Sequence, residues 1–152
     1  MKSWRLIPEG QLAMWGGLLS GLWEFGHSSF YTDHVRGLWY VVWTRLHCTG
    51  GDVMILVITF WGVSLLTRSR TWVTDDRSWP RILFVIGGFS YTVFSEWVNT
   101  TVRETWTYTD AMPQILGFGL TPLLQWIVVP LVVMWLMRRA LNEPKNPTTP
   151  DG

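Results

Sequence analysis

Four apolar stretches, separated by short polar and charged clusters, organise the chain. They run over residues 11–31, 46–67, 82–102 and 115–137, each close to the ~20 residues that carry an α-helix across ~30 Å of hydrocarbon. The second is the weakest, because its dense apolar run covers only 53–66 and it needs 46–52 to reach the interface. The fold class this pattern predicts is all-α: an integral membrane four-helix bundle with four transmembrane helices in one domain, residues 1–141. Residues 142–152 hold three prolines and little apolar bulk, which predicts a disordered, Pro-rich cytoplasmic tail. Lys2 and Arg5 before the first stretch imitate a secretory signal, but Glu24 lies where such a run stays apolar and no small-residue cleavage site follows.

The basic residues give a direction. Lys2, Arg5, Arg68, Arg70, Arg77, Arg81, Arg138, Arg139 and Lys145 flank one set of span ends, and Arg36, Arg45 and Arg103 the other. The positive-inside rule then places the N and C termini in the cytoplasm and the loops 32–45 and 103–112 outside. Trp39, Trp43 and Trp106 fall at the outer boundary and Trp4, Trp72, Trp79 and Trp135 at the inner one, as interfacial anchors do. The expected location is a cell membrane, multi-pass, with size and style suiting a bacterial inner membrane.

Composition adds exclusions. A chain of 152 residues, 48% hydrophobic and with net charge +1, offers no basic stripe for nucleic acid. Its single cysteine, Cys48, excludes an internal disulfide and any CxxC motif. The histidine boxes of membrane hydroxylases and desaturases are absent.

Three carboxylates stand out because they sit inside apolar stretches: Glu24, Asp52 and Glu96. Counted from the outer span ends, all three come to similar depths, ~9–11 Å in. An ionised group within the bilayer prefers protein or water to lipid, so convergence on one polar pocket near the outer face is expected. Glu24 shares a helix stripe with Gly17, Ser20, Gly21, His27 and Tyr31, and Glu96 shares one with Gly88, Thr92, Asn99 and Arg103. Gly50 and Gly51, before Asp52, suggest irregular backbone. On the fourth span, Pro122 and Pro130 suggest a bend near Gln125.

Glu96 and Glu24 are the acid/base candidates, one protonated and one ionised, with His47 and His27 as proton partners, Asp52 as orienting group and Arg103 as counter-charge. His27, Tyr31, Asn99, Arg103 and Gln125 are the ligand-binding candidates. His27, His47, Glu24 and Glu96 have the types for a metal, but no HxxxH or HExxH spacing gathers them, and the cofactor is left unassigned. The plainer alternative for all of them is an ion-pair network that fixes helix register. Three functions fit the pattern: a pocket that binds or transforms an amphipathic, lipid-like ligand; an accessory subunit docking other membrane subunits; and an oligomeric transporter or proton-pathway component. The expected partners are the lipid bilayer, with other membrane subunits or a homo-oligomer.

Overall fold

The computed structural model describes residues 7–142, so Lys2, Trp4, Arg5, Lys145 and the tail beyond Asn142 lie outside the described residues. The chain is mostly helical, 78%, and this bears out the helical expectation at the level of four long helices. These are α1 (Pro8–Gly26), α2 (Leu38–Thr67), α3 (Trp79–Trp97) and α4 (Leu120–Asn142). Two of them, α2 and α4, are long and apolar enough to cross a membrane. Successive helices pack in a ring, α1 against α2 and α4, and α3 against α2 and α4.

Each boundary that moved has a local cause. The second apolar stretch was expected to begin after Arg45, yet α2 starts at Leu38, just after Gly37, whose φ of +104° a side chain would disfavour. The residues expected as loop from Leu38 to Arg45 are therefore helix, and the helix continues unbroken through Gly50 and Gly51. The third stretch leaves α-geometry at Trp97 and continues as a π-turn, Val98–Val102, closed by the Arg103 N–H on the Val98 carbonyl at 2.8 Å. The fourth begins later than expected, because Pro113 and the positive-φ pair Leu116 and Gly117 favour a turn. A short antiparallel hairpin, β1 (Gln114–Ile115) and β2 (Phe118–Gly119), occupies that place.

One end of the bundle is tightly filled. Leu12, Phe60, Phe84, Val133 and Met137 surround Trp72, which has no exposed surface. The Trp72 ring centroid lies 5.4 Å from those of Phe60 and of Phe84, and its indole N–H donates to Ser64 Oγ at 3.1 Å. Trp72 is therefore a core residue and not the interfacial anchor expected; the 3₁₀ turn Trp72–Thr74 tucks it beneath the helices. Small residues set the helix spacing. A Cβ on Gly16 would meet Leu56 at 2.6 Å, and one on Gly88 would meet the Trp126 ring at 2.3 Å.

At the other end the two connections are joined. The Thr32 N–H donates to the Thr107 carbonyl at 3.0 Å and the Thr109 N–H to the Phe30 carbonyl at 2.9 Å, with Tyr31 and Tyr108 paired as an isolated bridge between them. This backbone pairing roofs the bundle.

Candidate functional site

Beneath the roof lies a cavity of ≈ 270 Å³ whose wall includes all three span acids, Glu24, Asp52 and Glu96. This is room for several water molecules or a polar head group. Each acid comes from a different helix, and each has its own partner.

Glu24, on α1, meets two basic groups. Arg45 Nη1 lies 3.7 Å from Oε2, and His27 Nε2 lies 3.4 Å from Oε1, one helical turn on. Asp52, on α2, accepts from the Gln125 amide of α4 at 2.7 Å. Glu96, on α3, accepts the Tyr108 hydroxyl from the roof, while Tyr108 itself accepts the Gly119 N–H at 3.1 Å. Tyr108 thus links α3, the roof and the hairpin. Burial first, and then the bond to Glu96, hold the Tyr108 proton above the ordinary phenol range.

Arg45 is the residue that sequence reasoning misplaced. It was read as an outer-loop charge, whereas it lies in α2, only 3% exposed, with Nη2 2.5 Å from Asp33 Oδ1 and its guanidinium 4.9 Å over the Tyr31 ring. Its Nε has no hydrogen-bond partner. The signal was present: Arg45 and Asp52 are seven residues apart, two turns on one helical face. A boundary drawn at a charge concealed it, because Asp33 neutralises that charge inside the protein.

Arg103, the expected counter-charge, is exposed and does not line the cavity. The π-turn explains this. A stretch with i→i+5 bonding takes more residues per turn, so Arg103 rotates off the stripe that carries Glu96. Asn99, in the same turn, stays in the cavity wall, its side-chain amide donating to the Ser95 carbonyl at 2.8 Å.

Of the other candidates, Tyr31 and Gln125 are buried in the wall and His47 stands exposed at its edge. His27 is buried, but it faces an apolar groove between α1 and α4, where its Nδ1 and Thr121 Oγ1 are 3.2 Å apart. His27 and His47 are therefore on different sides of the site, and among the described residues no group of three or more His, Cys, Asp or Glu side chains converges to hold a metal ion. The metal set considered from sequence is not gathered.

Trp106 and Asp33, both read as outer-loop residues, join the wall, and Trp106 is half-buried. Trp106-Thr107-Tyr108 has the two-residue period of extended chain, which turns both rings to one side. The Tyr31 ring meets them at 6.5 and 5.6 Å.

The exposed members of the wall lie along one seam. His47 on α2 and Tyr91 on α3 are both exposed, with Gly51 and Ser95 partly so, and this places the mouth between those two helices and below the roof. The cavity is acid-rich, with Glu24, Asp33, Asp52 and Glu96 against one guanidinium. No family model matches the chain, and comparison with curated proteins and with solved structures likewise returns no match.

Proposed function

We propose that the chain crosses a bilayer four times with both ends cytoplasmic, and that its cavity, near the outer face, receives the head of an uncharged, hydroxyl-bearing amphiphile from within the membrane. The observation that carries this reading is where the wall is exposed: paired loops bridge the top of the cavity, and its exposed wall residues, His47 and Tyr91, face out between α2 and α3. A water-borne ligand would need an opening through the roof.

Helix lengths support the membrane part. At 19 residues each, α1 and α3 span about 28 Å. All four helices present large apolar side chains outward, among them Leu22, Ile58, Ile86 and Leu131. That exposure is costly in water and ordinary in lipid.

The head-group chemistry follows from the wall. Arg45 Nε is a buried donor without an acceptor, and the carboxylates are acceptors. A hydroxyl both accepts and donates, so one group satisfies both. A phosphate would add negative charge to an acid-rich wall, and an ammonium has no lone pair for Arg45. The unlike partners of Glu24 and Glu96, a guanidinium and a phenol, favour a second step for the same site. Proton exchange with the bound head would use Glu24 as base and the Tyr108–Glu96 pair as acid.

The test is native mass spectrometry of the protein in mild detergent, titrated with a long-chain prenol, its phosphate ester and the amine of the same chain. The alcohol should be retained at least about tenfold better than either. Glu96→Gln should abolish that preference while the thermal melt stays within a few degrees. Equal retention of the three, or a preference unchanged in Glu96→Gln, ends the proposal.

A further inference from the structure

A second amphipathic site lies at the opposite end of the bundle. Between α3 and α4 runs a groove of ≈ 570 Å³, walled by Ile82, Val85, Ile86, Leu131 and Met134 and bounded at one end by Arg81 and Arg138. Among the described residues no carboxylate lines it. Of the two acids that precede α3, Asp75 is bound by Arg77 at 2.5 Å, and Asp76 is exposed and outside the groove lining.

The two arginines are differently free. Arg81 uses Nη1 on the Asp75 carbonyl at 2.7 Å, which orients the guanidinium and leaves its other donors available. Arg138 makes no hydrogen bond or ion pair among the described residues. Beside them Ser78 makes no capping bond to α3, so its hydroxyl is also available. Arg139 stacks on Trp135 at 3.9 Å, adding positive charge to the rim.

We infer that this groove binds one anionic phospholipid, its phosphodiester between Arg81 and Arg138 and an acyl chain along the apolar wall. Charge complementarity selects the head group, because two guanidiniums with no acid between them among the described residues favour a phosphate over a zwitterion that brings its own cation. Length selects the tail. Ile82 and Ile86 on α3, with Leu131 and Met134 on α4, continue away from the arginines in the direction the hydrocarbon would take. The site rests on the bilayer reading and is independent of what the acid-rich cavity holds.

The full chain, delipidated in detergent, is titrated with phosphatidylglycerol and phosphatidylcholine of identical chains and read by native mass spectrometry. Phosphatidylglycerol should be retained on the order of tenfold better. Arg81→Gln with Arg138→Gln should bring the ratio near one, and Arg138→Gln alone, which breaks no internal bond, should lower it severalfold without moving the melt. Arg68→Gln, an exposed arginine outside the groove, should leave it unchanged, as should Glu96→Gln. Equal retention of the two lipids overturns the inference, as does a preference that Arg68→Gln lowers as much as Arg138→Gln. Self-association of the chain that excludes lipid from the groove would also overturn it, assigning this face to a second copy.

Discussion

The two ends of the bundle are built on the same four helices and follow opposite rules. Around Trp72 the clustered side chains are apolar, and the buried polar groups beside them are partnered, the Trp72 indole N–H with Ser64 Oγ and the Gln11 side-chain oxygen with the Trp15 N–H. Around Arg45 four carboxylates, a guanidinium and the phenols of Tyr31 and Tyr91 enclose open volume, and the buried Arg45 Nε is left without a hydrogen-bond partner. On the proposed bilayer reading, hydrophobic burial between helices contributes little, so close packing at the filled end has to hold the fold. The polar end is then free to be suboptimal for stability, which is how sites that bind or react are usually built.

The largest effect should come from the filled end. Trp72→Ala removes two ring contacts and a hydrogen bond from a site with no exposed surface, and should cost ~3–5 kcal/mol. Thermal unfolding in detergent measures it; a loss under ~1 kcal/mol would show that the filled end is not the scaffold.

Next is Arg45→Met, which leaves Glu24 and Asp33 without their guanidinium and should cost about 3 kcal/mol. Combining it with Asp33→Asn should recover a large part of that loss, because the penalty lies in the unpaired charge. No recovery in the double variant would mean that Arg45 acts through packing on Tyr31.

Tyr108→Phe should cost ~1–3 kcal/mol, since it strands Glu96 and the Gly119 N–H together. The proton on Tyr108 is held more tightly in the folded state than the ordinary phenol value of 10, so the contribution is fully present below pH 10 and is lost only as pH rises further. The wild type should therefore lose stability at alkaline pH more steeply than Tyr108→Phe, as read by melts across that range. By contrast Glu96→Gln keeps an oxygen for the Tyr108 hydroxyl and should leave stability nearly unchanged while ending ligand selectivity, which separates the two ends by function.

Sequence carried the filled end only as apolar stretches, because which large side chain meets which depends on helix rotation that periodicity does not determine. Trp72 illustrates the point: among twelve tryptophans it looks like any other at a span end. The site was more legible. Charges inside apolar runs are conspicuous, so Glu24, Asp52 and Glu96 could be expected to share a pocket from depth alone, and Gln125 from its place near the prolines. Arg45 and Arg103 exchanged parts because a charge in a loop and a charge neutralised in a helix are written identically, and because a π-turn carries no mark in composition. Trp106 and Tyr108 depend on backbone pairing between two distant loops, which neither segment announces.

The smallest expected effect lies at the filled end's own surface, where Arg70 Nε and Nη2 clamp Glu9 at 2.8 and 2.7 Å, tying the start of α1 to the segment between α2 and α3. The Arg70 bond lowers the Glu9 pKa below its ordinary value of 4.5, so the clamp contributes fully above that value and is lost as pH falls through the lower, folded one. Solvent screening keeps this contribution small, since the Arg70 side chain is more than half exposed. Glu9→Gln should thus lower the melt slightly at neutral pH, and the wild type and variant should converge as the pH falls below the lowered Glu9 pKa. The same substitution in high salt should do almost nothing, because an exposed pair is screened while the packing around Trp72 is indifferent to ions. A Glu9→Gln loss that persists unchanged in molar salt would mean that the clamp positions α1 by contact and not by charge, moving part of the scaffold's stability from its core to its rim.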